Sequence, residues 1–138
     1  MQKPMLRSLA VNSLGVIAVT YTLFIGWLSL IHMPQFMEKA PTNSDKAIHA
    51  TAYFIMCSLW FLFLFFKGLK TKPRKTALWV AALWSLFFGM VIEILQLDFT
   101  TYRTGDYKDM IANSTGVLLS AICIFALRRK LEKIKSEL

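Results

Sequence analysis

The chain has 138 residues, of which 56% are hydrophobic and only 17% charged, with a formal net charge of +8. A soluble domain of this size buries roughly 70% of its unfolded surface and carries a charged exterior, whereas here the charges fall almost entirely in the gaps between long apolar blocks. An ordinary soluble domain is excluded, one domain at most is allowed, and the composition is that of a membrane protein.

The first block, Leu9 to Ile31, contains no charge. A hydrocarbon core about 30 Å thick needs about 20 helical residues, so the block is long enough to span. Its start is basic, but the apolar stretch exceeds the roughly 7–15 residues of a signal peptide. The following "SLIHMPQFMEKAP" offers no small-x-small cleavage site. An uncleaved helix over 9–31 is expected.

A loop carrying Pro34 and Pro41 leads to the second block, Ala47 to Phe66, interrupted only by His49. Ser44 or Asn43 suits an N-cap, with Asp45 and Lys46 in the first turn. Asp45, His49 and Tyr53 then recur every fourth residue. At 100° per residue they stay within an arc of about 80°, a stripe running from the surface into the membrane.

The basic loop "KGLKTKPRK" precedes the third block, Thr76 to Leu97, whose only charge is Glu93. Gly89, Glu93 and Gln96 share one face, and Glu93 lies about one turn, roughly 6 Å, from the end of the block. The fourth block, Met110 to Leu127, is the shortest, and Asp106, Asp109, Asn113, Gly116 and Ser120 form a heptad-type seam across its start. Gly116 and Ser120 make a small-xxx-small pair that lets two backbones approach. The tail "RRKLEKIKSEL" is expected to continue this helix at the interface, with Glu132 and Lys133 solvated.

The expected fold is an all-α integral membrane four-helix bundle forming a single domain, with spans at about 9–31, 47–66, 76–97 and 110–127 and a basic tail over 128–138. Orientation follows the placement of Lys and Arg. Lys3, Arg7, Lys67, Lys70, Lys72, Arg74, Lys75, Arg128, Arg129, Lys130, Lys133 and Lys135 fall on one side, against Lys39, Lys46, Arg103 and Lys108 on the other. Both termini are therefore expected in the cytoplasm. Topology and anionic lipid headgroups account for the basic charge, so nucleic acid is not an expected partner. Cys57 and Cys123 lie deep in their blocks with no metal-ligand spacing and read as packing residues.

On this reading the polar residues of the membrane region lie near the outer ends of three helices. A carboxylate at mid-helix costs about 2.5–3.5 kcal/mol on insertion scales, so Glu93, His49 and Asn113 are expected to face one another rather than lipid. Bland readings compete residue by residue. A single His near a helix end is usually a structural hydrogen-bonder, Gln96 and Asn113 suit helix fasteners, and Asp106 and Asp109 suit the first turn of the fourth helix. Glu93 is hardest to dismiss, because an acid at membrane depth is by default a functional candidate.

The motifs "DKAIHATAY" (Asp45, Lys46, His49, Tyr53), "EILQ" (Glu93, Gln96) and "R..D..D...N..G" (Arg103, Asp106, Asp109, Asn113, Gly116) resemble, in order, those of the VanZ-like family of small bacterial membrane proteins. The likeness covers Asp45 to about Ser120, where the family often has another Gly in place of Ser120. It implies residence in the bacterial cytoplasmic membrane, a cell-envelope role and, for the founding member, reduced sensitivity to teicoplanin. It implies no particular reaction.

Three functions remain in play. In the first, the cluster binds or acts on an anionic envelope lipid, a lipid-linked precursor or a lipophilic glycopeptide. Lys46 and Arg103 would hold phosphate or carboxylate, and Glu93 and His49 would serve as acid and base. Tyr53, Gln96, Asp45, Asp106, Asp109 and Asn113 would complete the site. Asp45, Asp106 and Asp109 are also hard oxygen ligands of the kind a divalent cation accepts, although their spacing matches no known metal loop; no other cofactor is expected. In the second, the cluster is a non-enzymatic lock on the bundle. The third, ion-coupled transport, ranks last, because the inner halves "CSLWFLFLFF" and "LLSAICIFAL" offer few polar stepping stones. The chain also lacks "HExxH", "GxSxG" and a Gly-rich phosphate loop.

Overall fold

The computed structural model describes residues 2–31, 44–68, 73–99 and 107–137. These form helices α1 (Gln2–Leu30), α2 (Ser44–Lys67), α3 (Pro73–Phe99), α4 (Tyr107–Ala126) and α5 (Arg128–Glu137). The first four are each long and apolar enough to cross a membrane, giving the expected all-α bundle. The helices reach past the apolar blocks: α1 begins at Gln2 rather than Leu9, and α3 at Pro73 rather than Thr76. Once a helix is nucleated, each further residue adds a hydrogen bond, so polar flanks join it readily. Proline suits the start of α3, where its missing N–H would have had no partner.

α2 is the central helix, packed against α1, α3 and α4, and α4 also packs on α3. Its buried face supplies Tyr53, Met56, Cys57, Phe61 and Phe65. The rings of Phe61 and Phe65 stack with centroids 5.3 Å apart. α1 sits at the periphery, with Val16 and Leu23 exposed for acyl chains to cover. Such residues need no protein partner, because lipid is as apolar as leucine.

The polar groups are not confined to one end of three helices, as the sequence led us to expect. Thr22, Ser85 and Ser120 are buried along the bundle, and α1 takes part in the polar bonding. Trp60 Nε1 donates to Thr22 Oγ1 at 3.0 Å, Ser58 and Ser120 pair through their hydroxyls at 2.8 Å, and Tyr21 donates to the Ala52 carbonyl at 3.2 Å. Thr22 and Ser58 also bond carbonyls of their own helices, Ala18 and Phe54, each at 2.8 Å. A hydroxyl satisfied in this way costs little in hydrocarbon. It therefore leaves almost no mark in a hydropathy reading.

The tail is helical, as expected, but it also packs back on the bundle. After a turn at Leu127 it forms α5, with the hydrogen-bond ladder continuing from Leu127 to Cys123 at 2.9 Å and Leu131 to Leu127 at 3.0 Å. Glu132 is not simply solvated but pairs with Arg74 at the start of α3, while Lys133 is exposed. Lys135 donates to the carbonyls of Phe65 and Gly68 at 2.5 and 3.3 Å, capping the end of α2. Burial and the nearby Arg7 guanidinium lower the Lys135 pKa. These contacts gather the starts of α1 and α3 and the ends of α2 and α4 at one basic end of the bundle.

Candidate functional site

The opposite end holds Asp45, His49 and Asp109. There α2 starts at Ser44 and α4 at Tyr107, so the first turns of both helices lie side by side. What allows their approach is Gly116. A Cβ built there would run into the Ala50 carbonyl oxygen and lie 2.9 Å from its carbon and 3.0 Å from the Phe54 nitrogen. Any larger residue is excluded by backbone rather than by a side chain that can turn away. Ser120, one turn on, is fully buried against Ser58.

With the backbones this close, the side chains one and two turns toward the N-terminal ends of α2 and α4 meet. Lys46 forms an ion pair with Asp109 and lies 3.6 Å from the Asp45 carboxylate. His49 Nδ1 is 3.2 Å from Asn113 Oδ1. With the carbonyl oxygen of Asn113 facing it, the imidazole donates its Nδ1–H. Nε2 then points at two carboxylate oxygens, Asp45 Oδ1 at 3.7 Å and Asp109 Oδ2 at 3.8 Å. The His49 and Asp109 side chains are only 11% and 13% exposed, against 49% for Asp45. The cluster is thus open on the Asp45 side and enclosed on the other.

A second polar layer lies one turn deeper. Tyr53 and the Asn113 amide nitrogen approach Gly89, whose missing side chain leaves room for both: a Cβ there would meet Tyr53 Cε1 at 3.0 Å and Asn113 Nδ2 at 3.2 Å. Asn113 therefore joins the layers, its oxygen toward His49 and its nitrogen toward Tyr53 and α3. Glu93, one turn from Gly89 on the same face, is buried at 5% exposure and acts electrostatically on the Tyr53 hydroxyl. It does not face lipid.

Asp45, Lys46, His49, Asp109 and Asn113 are thus brought together, with Tyr53, Gly89 and Glu93 beneath them. Gln96 lies elsewhere: it donates from Nε2 to the Ser29 carbonyl of α1 at 2.8 Å and fastens α3 to α1. Its spacing put it on the Glu93 face, but an arc of that width borders two neighbouring helices. Arg103 and Asp106 lie outside the described residues. The sequence reading gave His49 an acid–base role and named Asp45, Asp106 and Asp109 as oxygen ligands; the structure sets His49 Nε2 beside the Asp45 and Asp109 carboxylates. The sequence signal for that grouping is the Asp45/His49 pair at i, i+4, which puts both side chains on one helix face.

Four membrane-length helices and a polar cluster enclosed between two of them define a multi-pass α-helical membrane protein. The VanZ/LLP1 family profile matches residues 17–128. The chain belongs to that family. Neither the curated proteins nor the solved structures yielded a significant match.

Proposed function

We propose that the protein resides in a bacterial cytoplasmic membrane with both termini in the cytoplasm, and that the cluster at the ends of α2 and α4 binds the polar headgroup of a lipid or lipid-linked envelope molecule in the outer leaflet. The observation that carries this reading is the convergence of Asp45, Lys46, His49 and Asp109 at one end of the bundle, enclosed on one side and open on the other. Lys46 and Arg103 suit phosphate, whereas Asp45 and Asp109 accept hydrogen bonds from sugar hydroxyls. Asn113 orients His49 for proton transfer at Nε2. Glu93, buried below, supplies a second proton-exchanging group. The location at a helix end lets a headgroup enter from the interface while its acyl chains lie along the exposed apolar faces.

The test is mass spectrometry of protein extracted gently with its lipids, comparing the wild type with His49→Ala and Glu93→Gln. A bound lipid lost from both variants at unchanged melting temperature supports the reading. An unaltered lipid profile refutes it.

A second reading has its own support, because the Lys46–Asp109 pair and the Gly116 crossing join the same two helices. As a lock, the cluster would lower the melting temperature when cut and leave bound lipid in proportion to surviving protein.

A further inference from the structure

We propose that Asp45, His49 and Asp109 form a binding site for a divalent transition-metal ion, Zn²⁺ or Mn²⁺. Each residue offers one ligand atom, and the three atoms lie within 4.8 Å of one another. With His49 Nε2 3.7 Å from Asp45 Oδ1 and 3.8 Å from Asp109 Oδ2, an ion equidistant from all three and in their plane would sit at most about 2.4 Å from each. That lies a few tenths of an ångström outside the roughly 2.0–2.2 Å of zinc–ligand bonds, a gap that small side-chain rotations close.

The imidazole orientation is the independent pointer. Asn113, which is not one of the three ligands, accepts the Nδ1 proton, and this is the outer-shell bond that turns a ligating histidine and fixes its tautomer. The remaining lone pair on Nε2 then faces two carboxylate oxygens. Three acceptor atoms within 4.8 Å of one another favour a cation between them, either a proton on Nε2 or a metal ion. Lys46 neutralises Asp109 through Oδ1 and leaves Oδ2 directed toward His49. The ammonium thus competes with an ion electrostatically without occupying the same position.

The donor set narrows the ion. One imidazole and two carboxylates suit Zn²⁺ or Mn²⁺, whereas Mg²⁺ and Ca²⁺ prefer oxygen alone. The proposal deepens the headgroup reading, on which it rests, by giving His49 Nε2 a ligand's role in place of proton transfer. The two carboxylates outweigh the Lys46 ammonium, and a divalent ion would reverse that sign and present a cation to an incoming phosphate. The open side at Asp45 leaves room for such a further ligand.

The experiment uses the full chain in detergent micelles, stripped with chelator, dialysed against Zn²⁺ or Mn²⁺ and assayed for bound metal by mass spectrometry. One equivalent is expected for the wild type and none for His49→Ala or Asp109→Asn. Asn113→Ala, an orienting change, is expected to weaken binding about 10–100-fold. Lys46→Met, which removes the competing charge, is expected to bind at least as tightly as the wild type. Should the ligand variants fail to fold, pulsed EPR of Mn²⁺-loaded wild type decides, through nitrogen coupling from a directly bound imidazole. No bound metal in the wild type, retention by His49→Ala, or a Mn²⁺ signal without nitrogen coupling would each overturn the proposal. Lipid retention is read separately on the same samples, so loss of the headgroup reading and loss of the metal site are distinguishable.

Discussion

Gly116→Ala is the sharpest probe of how the fold makes the site. The new methyl carbon would collide with the Ala50 carbonyl oxygen and press on the Ala50 carbon at 2.9 Å and the Phe54 nitrogen at 3.0 Å. A carbon–oxygen contact is comfortable only at about 3.3–3.6 Å, so α2 and α4 must separate by about 1 Å. Neither contact atom belongs to a rotatable side chain, so rotamer changes offer no relief. Overpacking of this kind costs typically about 1–3 kcal/mol, and the gain in helix propensity of about 1 kcal/mol offsets part of it. The site suffers more than the stability. The His49–Asn113 contact is already 3.2 Å long, and the same separation carries it beyond hydrogen-bonding range. The assay pairs a thermal melt in detergent with metal and lipid retention, using Leu118→Ala on the exposed face of α4 as control. A melting temperature lowered by several degrees is expected on the soluble-domain scale of about 2–8 °C per kcal/mol, with ligand retention lost. If Gly116→Ala behaves like Leu118→Ala in both readouts, the close crossing does not build the site.

Trp60→Phe removes the bond to Thr22, and a double-mutant cycle with Thr22→Val should return a coupling of about 0.6 kcal/mol, the average for such bonds in membranes. Gln96→Leu cuts the α3–α1 fastener to Ser29; it should lower the melting temperature while leaving lipid and metal retention intact, and lost retention would place Gln96 in the site after all. Arg74→Met breaks a half-exposed pair with Glu132, for which a change under about 1 kcal/mol is expected in chemical unfolding. A cysteine placed at Ser136 should react with an impermeant maleimide only in inverted membrane vesicles, and labelling of intact cells would reverse the proposed orientation.

The four spans were legible from the chain because burying apolar surface in lipid is a local free energy: each block reaches membrane length by itself, whatever its neighbours do. Inward placement of Glu93 followed by the same logic, since a carboxylate at that depth is too costly to turn toward acyl chains. The Asp45/His49 pair was legible as a stripe because both residues ride on one helix. Which partners those stripes meet was not. Gln96 and Glu93 share a face of α3, yet one reaches Ser29 on α1 and the other lies beneath the cluster, because a polar arc borders two neighbouring helices at once. The hydroxyls of Thr22, Ser58 and Ser85 escaped notice, their polarity being too weak to register against the apolar residues around them, and Ser120 was read only as a small packing residue. Only the tertiary structure brought His49 Nε2, Asp45 and Asp109 together. Their convergence depends on the rotation and register of α2 against α4, set where the Gly116 backbone meets the Ala50 carbonyl, and no property of either helix alone specifies that contact.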